Sequence, residues 1–88
     1  MYVRRQHDLG LDEARIRVQG VAESLQRQYS LSSDWHGNRL QFHGSGVNGY
    51  IEIDHQRIEV RVRLGLALKM MERVIRTEIE RALDGHLA

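Results

Sequence analysis

The chain has 88 residues and no cysteine, and its 13 Lys and Arg against 12 Asp and Glu leave a net charge of +1. Without cysteine there is no disulfide, no thiol nucleophile and no Cys-based metal site, a composition that suits a reducing compartment. The near-neutral balance is far from that of a dedicated nucleic-acid binder, so nucleic acid is not expected as a partner.

Met1 to Gln6 reads as a short edge strand, because Tyr2, Val3 and two arginines suit a half-exposed extended segment. From Leu11 to Tyr29 the apolar residues Leu11, Ala14, Val18, Val21, Ala22, Leu25 and Tyr29 recur at three and four, which predicts an amphipathic helix with Ile16 and Gly20 on its outer face. Asp12 and Glu13 favour the first turn of that helix, and Asp8 or Gly10 precedes it as an N-cap.

Between Ser32 and Leu64 the period changes to two, and the turn signals Gly37-Asn38, Ser45-Gly46 and His55-Gln56 divide the stretch into four strands. Treating each signal as a two-residue hairpin loop sets Trp35 opposite Leu40, Leu40 opposite Ile51, Phe42 opposite Gly49, Ile51 opposite Val60 and Val47 opposite Leu64. Three independent loops then put every large apolar residue on one face, whereas a one-residue slip would turn any strand inside out. After Gly65 helical spacing returns. Leu68, Met71, Val74, Ile75, Ile79 and Ala82 predict the inward stripe of one long helix, and Asp84-Gly85 its stop.

The expected fold is therefore α+β in one domain over residues 1–88: an antiparallel four-stranded meander, with a fifth N-terminal edge strand, and two helices packed on one face, in the order β-α-β-β-β-β-α. A domain this small buries only about 60% of its unfolded surface, so a homodimer is a natural route to added stability. No apolar run approaches the length of about 20 residues that spans a bilayer, and no signal-peptide core follows the N-terminus. A cytoplasmic location with no transmembrane segment is expected.

No catalytic constellation stands out. The five histidines do not show metal-ligand spacing, and the serines include no nucleophile elbow, so neither a metal, a cofactor nor an enzymatic role is expected. The glycine-rich segment Gly44 to Gly49 lacks both a following helix and a Walker lysine, and reads as a hairpin. Three surfaces remain as candidates. On the polar sheet face, Gln41, His43, Tyr50, Arg61 and Arg63 fall together and combine an aromatic ring with planar cations, a composition favoured at interfaces. On the second helix, Leu66 and Met70 lie opposite the inward stripe and, with Val74 at its edge, form an apolar strip to be covered by the N-terminal segment or the first helix, or else open to a second copy or a hydrophobic surface. Trp35, Phe42 and Met71 are the candidates to line an apolar pocket beneath the sheet.

Several segments together resemble the polyhydroxyalkanoic acid system family, small bacterial proteins encoded among genes for polyhydroxyalkanoate storage granules. They are Arg4-Arg5-Gln6-His7-Asp8-Leu9-Gly10-Leu11-Asp12-Glu13-Ala14, Trp35 with Gly37, Ser45-Gly46-Val47-Asn48-Gly49-Tyr50-Ile51, Val60-Arg61-Val62-Arg63-Leu64-Gly65 and Ile79-Glu80-Arg81-Ala82-Leu83. The resemblance spans nearly the whole chain and carries no active-site residues. It implies a non-enzymatic accessory protein that binds the polyhydroxyalkanoate granule surface or granule-associated proteins. The element order also resembles a shortened helix-grip fold of the START-like kind, which implies a small module binding an apolar ligand as the alternative.

Overall fold

The computed structural model describes residues 1–88. In chain order the elements are β1 (Tyr2–Gln6), α1 (Leu11–Tyr29), β2 (Ser32–His36), β3 (Arg39–Gly44), β4 (Val47–Ile53), β5 (Arg57–Leu64), α2 (Leu66–Lys69) and α3 (Glu72–Leu87). The strands form one sheet in the order β1-β5-β4-β3-β2, antiparallel throughout. The meander closes through its three two-residue loops, and β1 returns to the open side of β5 with Val3 opposite Val60.

Every register read from the hairpin loops is present, including Trp35 with Leu40, Phe42 with Gly49 and Val47 with Leu64. Parity explains why they agree. Leu40, Phe42, Ile51, Ile53, Ile58, Val60 and Val62 alternate inward, and with Val3 they form the sheet side of the core. Gly46 takes a φ of 81° in the β3–β4 loop, a left-handed conformation that a side chain would oppose.

The helices supply the other half of the core. Ala14, Val18, Val21, Ala22 and Leu25 are the buried face of α1, and Ile75, Ile79 and Leu83 that of α3. Arg17 near the start of α1 meets His86 at the end of α3, while Leu25 and Tyr29 lie with Ile75 around one small void, so the two helices run antiparallel. The α1 N-cap is Gly10, with φ 77° and no side-chain cap bond, and Asp8 does not cap the helix.

The second helix departs from expectation in three ways. It breaks at Met70-Met71 into the four-residue α2 and the longer α3. Met71 adopts φ −99° and ψ 11°, and its N–H bonds to the Leu68 carbonyl three residues back, which shifts the helical phase. As a consequence Met71 and Val74 are 47% and 54% exposed, not inward, and Leu83 occupies the core position fully buried at 0% exposure. Finally, Asp84-Gly85 does not end the helix, which continues to Leu87. Tertiary contacts outweigh the helix-stopping tendency of glycine: Arg17 Nη1 donates to the carbonyls of His86 at 2.8 Å and Ala88 at 3.2 Å, and Leu87 packs on the core.

Inward-facing Arg5 on edge strand β1 is tied to α3, through Nε to Asp84 Oδ1 at 2.8 Å and Nη2 to Glu80 Oε2 at 3.1 Å. The guanidinium holds the Asp84 carboxyl below its ordinary range. His7 is the one buried polar side chain. Its Nδ1 accepts from the Leu9 N–H at 3.2 Å, which leaves Nε2–H to donate to the Asp54 carbonyl at 2.9 Å. This ring fastens the β1–α1 corner to the β4–β5 turn. Within that turn the Asp54 carboxylate accepts from the N–H groups of Gln56 at 2.8 Å and Arg57 at 2.6 Å, which lowers its pKa.

Candidate functional site

The apolar strip is the most distinctive surface of the molecule. Leu66 is 89% exposed and Met70 95%, and Met71 and Val74 extend the patch across the helix break. Neither the N-terminal segment nor α1 covers it. Large apolar side chains exposed singly are ordinary, but four within residues 66–74 make this stretch the candidate attachment surface. The break enlarges the patch by Met71, which an unbroken helix would have turned inward. Lys69 and Arg73 lie in the same stretch, are exposed, and form no ion pair, which gives the strip a cationic border.

The outer sheet face forms three cross-strand rows. His36, Arg39, Glu52, Glu59 and Arg4 make the first; Asp34, Gln41, Tyr50, Arg61 and Tyr2 the second; Ser32, His43, Asn48 and Arg63 the third. The predicted residues Gln41, His43, Tyr50, Arg61 and Arg63 are thus neighbours. Their pairings are more specific than the rows alone imply. The Arg39 guanidinium lies 4.0 Å from the Tyr50 ring centre and also bonds Glu52 at 3.0 Å. Arg61 instead covers Tyr2, 4.6 Å from its ring centre. Tyr2 is therefore part of this face, a residue that the weak signal of a five-residue edge strand did not bring forward. Arg61 and Arg63 form no ion pair.

Trp35, Phe42 and Met71, the residues of the alternative pocket, do not line a common cavity. Trp35 lines a shallow surface hollow with Arg15, Ile16 and Gln19, its Nε1–H donating to Gln19 Oε1 at 2.8 Å and the Arg15 guanidinium 4.2 Å from its ring centre. Phe42 lines two interior voids of about 10 Å³ each, no larger than about one water. Met71 belongs to the strip. The ring of Phe42 fills the space over Gly49, and side chains from both layers occupy the rest of the interior. No cluster of three His, Asp or Glu side chains converges in a metal-binding arrangement, and no helix is long and apolar enough to cross a membrane.

The fold is that of a small two-layer α+β protein, with an apolar strip and an arginine-rich sheet face as its candidate surfaces. Residues 1–87 match the family model of polyhydroxyalkanoic acid system proteins (PHA_gran_rgn), and the chain belongs to that family. No curated protein and no solved structure matches the chain.

Proposed function

We propose that the protein is a non-enzymatic accessory of polyhydroxyalkanoate metabolism that attaches to the polyester granule, or to proteins on it, through Leu66, Met70 and Val74 with Met71 beside them. The observation that carries this reading is the strip itself, whose two leading side chains are 89% and 95% exposed on a chain of this family. Polyhydroxyalkanoate is an aliphatic polyester, so its surface offers an apolar phase against which these side chains lose contact with water.

Fully burying a Leu, Met or Val side chain is worth about 1.5–3 kcal/mol. Allowing for partial burial, the three supply on the order of 4 kcal/mol, close to a thousand-fold in partition. Lys69 and Arg73 would remain at the rim, where their stems add apolar contact and their heads stay hydrated. Granules isolated from cells making a tagged protein test the reading. Enrichment on granules, lost when Leu66, Met70 and Val74 are replaced by serine, supports it; a protein recovered only from the soluble fraction contradicts it.

A further inference from the structure

The two edges of the sheet differ in how they are guarded. The two-residue loop Gly37-Asn38 makes His36 and Arg39 a hydrogen-bonded pair, so Asp34 with Gln41 and Ser32 with His43 are the next such pairs. The alternation continues into the next strand, where the Ile53 N–H donates to the Asn38 carbonyl at 2.9 Å. Consequently the N–H and C=O groups of Ser33 and Trp35 point to the open side of β2. On the opposite edge Met1 and His7 bond to β5 and its preceding turn, leaving the groups of Tyr2, Arg4 and Gln6 outward. That edge carries Arg4 and the inward-facing Arg5, charges of the kind that deter strand pairing. β2 carries no Lys, Arg, Pro or bulge.

We propose that β2 is the interface of a symmetric homodimer, in which the β2 strands of two copies pair antiparallel and join their sheets. Side-chain parity allows the two-fold axis to pass beside Ser33, Asp34 or Trp35. Centring on Asp34 would set two aspartates directly opposite each other with their Cβ atoms about 4.5–5.5 Å apart, an unfavourable like-charge pair. Centring on Ser33 sets Asp34 against Ser32 of the second copy, with no charge complement. Centring on Trp35 sets Asp34 opposite His36 of the second copy, twice, and uses both free backbone groups of Trp35.

The helical layer fits the same register. Because the axis is normal to the joined sheets, both helical layers lie on one side, the side of the two indoles. Ile16 is 65% exposed on α1 beside Trp35, and with Arg15, Gln19 and Trp35 it borders an open hollow of about 260 Å³. In the dimer the two hollows face each other across the paired indoles, which brings Ile16 to the border of the interface. The partner is thus a second copy, recognised by strand pairing, charge alternation and an apolar cap.

Light scattering and sedimentation equilibrium over a concentration series test the assignment. The expected mass is twice the 10.3 kDa of the chain. Asp34 and His36 are exposed and form no ion pair within the chain, so Asp34→Lys and Ile16→Glu should leave the circular dichroism spectrum and monomer fold intact. Each is expected to raise the dimer dissociation constant about tenfold or more. The double exchange Asp34→Lys with His36→Asp should restore dimerisation, because the new pair again opposes unlike charges. Serine at Leu66 and Met70 should leave the dimer unchanged. A monomer at all concentrations, a dimer insensitive to Asp34→Lys and Ile16→Glu, or a double exchange that fails to restore it would overturn the assignment. So would a dimer abolished by the strip substitutions.

Discussion

Replacing Gly49 with alanine tests the registers on which the candidate sheet face depends. A Cβ at this position would overlap the Arg61 carbonyl oxygen and lie 3.0 Å from both Phe42 Cζ and Val62 Cα. Two of these obstacles are backbone, which cannot rotate aside, so β4 and β5 would have to part locally. Overpacking in a closed core costs about 1–3 kcal/mol, and the backbone clash puts Gly49→Ala near about 3 kcal/mol. A chain of this length has a stability on the order of 4–13 kcal/mol, and each kcal/mol shifts the melting temperature by about 4–8 °C. Gly49→Ala is therefore expected to melt about 12–24 °C below the parent. Gly85→Ala is the counterpart, since nothing lies within 4 Å of a Cβ there and the position is inside α3. It should gain about 0.5–1 kcal/mol through helix propensity alone. Thermal unfolding followed by circular dichroism reads both. A Gly49→Ala protein melting with the parent would refute the pairing of Gly49 against Arg61 and Val62.

Leu83 is fully buried, so Leu83→Ala should cost about 2–5 kcal/mol in urea unfolding, whereas Met71→Ala should change stability little because the side chain is half exposed. Arg5→Met should flatten the acid limb of stability. Asp84 is held below its ordinary value of 3.8 by Arg5, so its contribution is present above pH 3.8 and is lost as pH falls through the lowered native value. Melting temperatures at pH 7 and below pH 4 should converge in the variant relative to the parent; an unchanged acid limb would show that the pair does not act. His7→Phe removes the Nε2 donor and leaves the Asp54 carbonyl and the Leu9 N–H without their partner, with an expected loss of about 1–3 kcal/mol read by chemical unfolding.

The sheet was legible because three two-residue loops independently fixed side-chain parity, and Phe42 over Gly49 followed from that parity alone. The apolar strip was legible for a related reason: Leu66 and Met70 lie off the stripe that Ile75 and Ile79 define. The helix break was hidden, because Leu68, Met71 and Ile75 keep an acceptable helical spacing and neither Pro nor Gly marks the turn at Met70-Met71. Leu83 was legible and passed over: it lies four residues beyond Ile79 on the same inward stripe. The end of α3 depended on Arg17, remote in sequence, binding the carbonyls of His86 and Ala88. Side-chain pairings on the sheet face were also beyond pattern reading. Rows can be drawn from registers, but the choice of Arg39 over Tyr50, and Arg61 over Tyr2, depends on rotamers across two strands. The alternative implied by the helix-grip resemblance named Trp35, Phe42 and Met71 together, but the structure places the three apart, at a surface hollow, in the core and on the strip.

The central claim, attachment through the strip, is tested most directly by partition onto washed polyhydroxybutyrate particles, comparing the parent with Leu66→Ser, Met70→Ser and Val74→Ser combined. The variant should keep its circular dichroism spectrum, because these side chains are exposed. The account predicts saturable binding of the parent and a loss of about two to three orders of magnitude in affinity for the variant. Equal binding of the two proteins, or no binding by the folded parent to bare particles and to isolated native granules alike, would contradict it.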